Sequence, residues 1–391
     1  MSDGPSAFGT FFLPGPTEVR PEVLGAMTRP MIAHRGAAFE ALFARIQARL
    51  RPVFRTTRPV LVCSASASGL MEGAVRCAPE GPILSLVNGA FSERFARIAQ
   101  ACEREVSMLE VPWGATFDLD EVEHRLAERR WSAVTVVHSE TSTGVLTDVR
   151  TVTALAHRHG AVALVDSVSG VAGAPLEFDA WEMDFVFTGS QKALAVPPGL
   201  ALGVATPELI ERARSVRGRG RYLDLVELEE YALRDQTPAT PALPLFYALD
   251  AQLDVIAREG VEARWRRHEA MARATWAWAE RVRERHGVEV SVLAREGSRS
   301  PTVSAITAPP GARGGAIAAA VATRGFVIGG GYGKLRDATF RIGHMGEHDV
   351  AGVERCLAVV EEVLVSEIGA AEARGAGRGA RGALGDEGVR R

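Results

Sequence analysis

The chain is nearly without lysine. Of its 45 lysine and arginine residues, only Lys192 and Lys334 are lysine. Arginine replaces lysine as a solvated cation, but its guanidinium stays protonated and cannot act as a nucleophile. A primary amine kept in so arginine-rich a chain is therefore a candidate reactive group. Asparagine is scarcer still, with Asn88 alone. The four cysteines, Cys63, Cys77, Cys102 and Cys356, form no CxxC pair and no metal-ligand spacing. No metal site is expected from them, and reduced thiols in a cytoplasm are the simplest reading. No apolar run approaches the roughly 20 residues that span a bilayer. Met1–Thr10 has no basic segment followed by an apolar one, so no signal peptide is expected. A strong excess of charge is also missing. The formal net charge of −3 gives no reason to expect nucleic acid or an anionic membrane as a partner.

What is present is a soluble globular composition, 47% hydrophobic and 24% charged over 391 residues, long enough for two domains. Residues 1–20 are rich in Gly and Pro and read as an extended N-terminal arm. From Pro59 short apolar runs alternate with helical stretches. The runs are Val60–Cys63, Ile83–Val87, Val106–Val111, Val134–Val137, Val162–Val165, Phe185–Phe187 and Leu200–Val204. Several are almost continuously apolar, as strands covered on both faces are. The alternation predicts an α/β fold with a doubly wound, mostly parallel sheet. Such sheets bind ligands at the carboxyl ends of their strands. A large domain over 21–260 and a smaller α/β domain over 261–368 are expected. A long helix from Leu245 to about Arg285, breakable near Gly260, strands at Val288–Val292 and Thr302–Ile306, and a closing helix His348–Ile368 belong to this part. Residues 369–391, rich in Gly, Ala and Arg, read as a disordered tail.

The polar residues at the strand ends carry the chemistry. Asp166 ends one strand, and Lys192 follows the end of another. A strand-borne acid beside a rare amine suggests an imine-forming lysine with an acidic partner. Ser66-Ala67-Ser68 joins a strand to a helix. Small residues and a helix N-terminus can receive a phosphate, although a serine N-cap explains the same residues. Asn88-Gly89 reads as a turn with positive φ. Phe91 after it could stack on a planar ring or fill a core. His138–Gly144 is a polar cluster at a strand end. His157 and His159 lie on an expected surface helix and read as inert. Lys334 sits in a glycine loop, Gly329–Gly333, that misses the GxxxxGK[ST] pattern because Leu335 takes the Ser/Thr place. Arg341 could bind a carboxylate bidentately.

Together these motifs resemble the class V aminotransferases of the fold-type I pyridoxal phosphate superfamily, and within them the alanine–glyoxylate/serine–pyruvate group. The resemblance runs from about Pro14 to Ile368. It implies that Lys192 carries pyridoxal 5′-phosphate, with Asp166 at the pyridine nitrogen and Val168 under the ring. Ser66, Ala67, Ser68 and Gln191 would meet the phosphate, Phe91 would cover the ring, and Thr141 would bond its phenolic oxygen. Gly15, in Leu13-Pro14-Gly15-Pro16-Thr17, would lie near the substrate carboxylate, and Arg341 would bind it. Thr237 and Thr240, in a Thr/Pro segment, would reach a partner subunit's phosphate, which implies a homodimer with shared active sites. The chain departs from the family pattern at Ala65, Ala67 and Ser92, where glycine is frequent. The implied reaction is transamination between a small amino acid, alanine or serine, and a 2-oxo acid, glyoxylate. A ureidoglycine-type donor or a non-catalytic scaffold of the same fold remain alternatives. Desulfurase activity is disfavoured, because no cysteine lies between Cys102 and Arg341.

Overall fold

The structure, a computed structural model, describes residues 8–382. Its main sheet has seven strands. Their spatial order is Leu61–Cys63, Ala201–Ala205, Phe185–Gly189, Val162–Asp166, Ala133–Val137, Ile83–Val87 and Val106–Glu110. Only Ala201–Ala205 runs antiparallel to its neighbours; the other pairings are parallel. The expected doubly wound sheet is therefore present. The interior strands are buried along their whole length. The edge strand Val106–Glu110 is not, and its Val-Ser-Met-Leu-Glu sequence is less continuously apolar than the interior strands.

Helices Ala67–Cys77, Ala90–Ala101 and Val149–Arg158 cover the sheet. His157 is more than a surface residue. Its Nε2 lies 2.7 Å from Asp184 Oδ2 and ties the last helix to the sheet.

The second sheet has the order Phe11–Phe12, Val327–Gly330, Thr339–Gly343 and Val303–Thr307. The N-terminal arm therefore supplies an edge strand, pairing in parallel with Val327 and Ile328. Two residues are too few to show a period of two, so this strand has no sequence signature. The strand expected at Val288–Val292 does not form. That segment makes one isolated bridge, Val292 to Ile306. The expected long helix is two, Leu243–Glu259 and Val261–His286, divided at Gly260 with φ +84°. A second apolar core, including Phe12, Trp278, Ile306, Phe340 and Leu357, lies under this sheet. The closing helix, Val350–Gly382, continues past Ile368. Residues 383–391 of the expected tail lie outside the described residues.

Candidate active site

Five strand ends open on one side of the main sheet. They deliver Ser64–Ser68, Asn88, His138–Thr143, Asp166 and Gln191–Lys192, as parallel connectivity requires. A cavity of about 370 Å³ lies there. Its walls include Gly15, Ser66, Ala67, Ser68, Phe91, Thr141, Asp166, Val168, Gln191 and Lys192. Ten of the residues singled out from sequence are thus brought together around one space.

Lys192 is 7% exposed, and its amine donates to the Pro14 carbonyl. The N-terminal arm holds the same loop through Thr17, whose N–H donates to the Gln191 carbonyl at 2.9 Å and whose hydroxyl donates to the Lys192 carbonyl at 3.1 Å. From behind, the buried Arg264 donates to the Ala193 carbonyl at 2.7 Å and pairs with Glu347 at 2.7 Å. Gly15, at φ +98°, touches the lysine directly: a Cβ there would stand 2.5 Å from Lys192 Nζ. Burial, with Arg341 nearby, lowers the Lys192 pKa to about 8. The amine is therefore easier to deprotonate than a solvated one.

Asp166 is 2% exposed. One oxygen accepts the Val168 N–H at 2.8 Å, and the other has no hydrogen bond among the described residues. Burial, helped by the charge of Glu140, pushes its pKa up to about 7. The Val168 N–H and the Lys192 cation oppose that shift without cancelling it.

At the other wall, Ser66 is the N-cap residue of helix Ala67–Cys77, but its side chain makes no cap hydrogen bond. The simple N-cap reading therefore fails. Neither Ala65 nor Ala67 has positive φ, so the two departures from glycine cost the loop no backbone strain. The helix N-terminus and two hydroxyls face the cavity without an anion from the protein. Thr141 Oγ1 lies 2.5 Å from Ser169 Oγ.

Phe91 is no core residue. It lines the cavity and stacks on Tyr332 at 5.4 Å. Asn88-Gly89 does not form the expected positive-φ turn. Gly89 is extended, and glycine is required there because a Cβ would overlap the Glu140 side chain and approach Ser142 Oγ at 2.6 Å. Ser92, where the family often has glycine, supplies a hydroxyl that accepts the N–H groups of Asn88 and Gly89, each at 3.0 Å.

Arg341 stands beside the cavity. Its Nε donates to the Gly330 carbonyl at 2.9 Å and its Nη1 to the Thr141 carbonyl at 3.3 Å. No carboxylate pairs with it among the described residues. Thr237 and Thr240 are not brought to this cavity. They line a separate cleft with Tyr222, and the Thr237 hydroxyl donates to the Ala239 carbonyl at 2.8 Å.

Four contributors went unassigned in the sequence. Glu140 lay inside a recognised motif but read as loop. Arg94, on the cavity wall, and Arg264 were hidden by the abundance of arginine. Tyr332 had only its glycine neighbours as a signal.

The chemistry of this donor set fits pyridoxal phosphate. It combines a buried amine, a buried acid with a free oxygen, an anion-ready helix terminus and an aromatic wall. The comparisons agree. The family described as Aminotransferase class-V matches residues 23–331. An uncharacterized aminotransferase of Methanocaldococcus jannaschii is 35% identical over 91% of this chain and 92% of its own. Serine–glyoxylate aminotransferase of Arabidopsis thaliana is 31% identical over 90% of this chain and 89% of its own. The crystal structure of alanine–glyoxylate aminotransferase from Nostoc sp. superposes with a TM-score of 0.85 at 30% identity, covering 93% of this chain and 96% of that one. With its fold-type I architecture, the chain belongs to the class-V aminotransferases.

Proposed function

We propose that this aminotransferase moves an amino group from a small amino acid, alanine or serine, to glyoxylate, with pyridoxal phosphate held in the 370 Å³ cavity. The observation that carries the reading is the placement of Lys192 and Asp166, two buried groups of opposite type, on the walls of that one cavity. Lys192 would hold the cofactor covalently, Asp166 the ring nitrogen, and Ser66, Ala67, Ser68 and Gln191 the phosphate. Phe91 and Val168 would enclose the ring, and Thr141 would meet its phenolic oxygen. When bound, the cofactor supplies an aldehyde for the amine and a ring that accepts the electron pair left on the substrate's Cα.

The residues then divide the work. Arg341, unpaired and close to the Lys192 amine, binds the substrate α-carboxylate in a bidentate pair. Gly15 leaves room for that carboxylate beside the lysine. The Lys192 amine, at a pKa of about 8, would take the proton from the substrate Cα as general base and, as general acid, give it to the carbon that was the cofactor's aldehyde carbon. Asp166 carries the countercharge that keeps a ring nitrogen protonated. Beside such a cation the Asp166 carboxylate would be ionised despite its burial. Thr237 and Thr240 line a separate cleft; as the family resemblance implies, they would serve the phosphate of a second copy in a homodimer. Four unbridged cysteines, three of them buried, support the reading of a cytoplasmic setting.

The test is a panel of half-reactions. Purified protein loaded with pyridoxal phosphate is mixed with alanine, serine, aspartate or ureidoglycine, and conversion to pyridoxamine phosphate is followed by absorbance. Alanine or serine should convert fastest, with glyoxylate reversing the change. Lys192→Arg should lose both turnover and the visible absorbance. Retention of both would overturn the assignment.

A further inference from the structure

Tyr332 belongs to a glycine run, Gly329–Gly333, whose purpose the reaction leaves open. The run is fixed by packing. A Cβ at Gly331 would stand 2.7 Å from the Thr339 carbonyl oxygen and closer still to that of Leu335. At Gly333, with φ +56°, it would stand 2.8 Å from the Trp113 ring. Glycine lets the chain fold this tightly, and the result is a rigid mount for one large side chain.

Three contacts converge on that side chain. Its ring lies over Phe91, with centroids 5.4 Å apart and planes 16° from parallel. Its hydroxyl accepts a hydrogen bond from Arg94 Nη2 at 2.9 Å. The Arg341 guanidinium lies 5.4 Å from its centroid. The mount and the arginine are also joined through the backbone, since Arg341 Nε donates to the Gly330 carbonyl. Arg94 closes the group by lying 4.9 Å from the Phe91 centroid. Phe91 and Arg94 come from a helix on the main sheet, whereas Arg341 comes from the second sheet and Tyr332 from the loop after its strand Val327–Gly330.

We infer that Tyr332 is a positioning residue for transamination, holding the ring cover Phe91 and the carboxylate-binding Arg341 in one stack. The inference rests on the roles proposed above for those two residues. A guanidinium has many torsional states. A π-face beneath it and a carbonyl at Nε leave it few. Phe91 has no covalent link to the second sheet, and Tyr332 backs its ring. Substrate carboxylate and cofactor ring are thus presented with a common support, and removing it should weaken both bindings more than it slows the chemistry.

The experiment compares Tyr332→Phe, Tyr332→Leu and Tyr332→Ala. Affinity of cofactor-free protein for pyridoxal phosphate is measured by tryptophan fluorescence. KM and maximal rate are measured in the alanine half-reaction. Tyr332→Ala should raise KM about tenfold, the scale of one lost cation–π contact, weaken cofactor binding about fivefold and leave the maximal rate within about threefold. Tyr332→Phe keeps both ring contacts and should stay within about threefold throughout. Tyr332→Leu keeps an apolar side chain larger than alanine's without a π-face. It should behave like the alanine variant, and it carries the test if that variant does not fold. Unchanged KM and cofactor affinity in the leucine variant would overturn the inference, as would a phenylalanine variant as impaired as the leucine one. Wild-type protein that binds no pyridoxal phosphate would overturn the proposed function and this inference together. Wild-type protein that binds and transaminates, beside unaffected variants, would overturn the inference alone.

Discussion

The Glu140 carboxylate accepts the backbone N–H of Ser92 at 2.9 Å and that of Phe91 at 3.1 Å. A fully buried acid from one strand end therefore caps the helix that begins at the next, and so fixes where Phe91 stands. The same carboxylate accepts the Ser142 N–H at 3.0 Å and its hydroxyl at 2.6 Å. Helix N-termini carry partial positive charge and unpaired N–H groups, so a carboxylate is well matched there.

Removing that carboxylate leaves several buried donors without acceptors. Glu140→Ala should lower the stability of the cofactor-free protein by about 2–3 kcal/mol, read from urea denaturation. Glu140→Gln keeps one acceptor oxygen and should cost less. A change within about 0.5 kcal/mol for the alanine variant, the range of ordinary surface substitutions, would contradict the capping role.

Ser66 offers the opposite outcome. An N-cap serine replaced by alanine ordinarily costs about 1 kcal/mol, but this hydroxyl makes no cap bond. Ser66→Ala should leave the cofactor-free protein nearly as stable as wild type, while its affinity for pyridoxal phosphate falls about tenfold, the loss of one charge-assisted hydrogen bond. Thermal unfolding and a cofactor titration separate the two. Lost stability with unchanged affinity would restore the capping interpretation.

Gly15 is constrained twice, by its φ of +98° and by contact with the lysine. Gly15→Ala cannot keep both the backbone conformation and the Lys192 side-chain position. Activity should fall at least about a hundredfold, as expected when a reacting group is misplaced by about an ångström. The visible absorbance of the lysine-bound cofactor should fall with it. Wild-type absorbance in this variant would place the lysine elsewhere.

The pH dependence of the cofactor-free protein follows from two shifts. Asp166 titrates near 3.8 when solvated and at about 7 when folded. Between these values the folded state holds the extra proton, so its stability falls as pH rises through that window. Lys192 moves from 10.5 down to about 8. The unfolded state holds the extra proton there, so stability recovers as pH rises from about 8 toward 10.5. Asp166→Asn should remove the first fall, and its melting temperature at pH 7.5 should exceed that of wild type by about 3 °C or more, while turnover is lost. An unchanged pH profile of melting temperature would contradict the buried acid.

The sequence by itself determined the sheet, the helices over it and most of the chemistry. Short, continuously apolar runs that alternate with helical stretches read as strands covered on both faces, and parallel strands put their carboxyl ends on one side. Lys192 stood out because arginine does every other cationic job but one. Asp166 stood out because it closes such a run. Only the tertiary structure decided which neighbours act on them. The Phe11–Phe12 strand is too short to show a period and exists because the second sheet has an open edge beside Val327. The reason for glycine at position 89 is the Glu140 side chain, 51 residues further on and in contact only after folding. Arg341 differs from the chain's many other arginines only by what surrounds it, a glycine loop, Tyr332 and, among the described residues, no carboxylate paired with it. Identity and local pattern are properties of the chain, whereas burial, pairing and pKa belong to neighbours that only packing brings together.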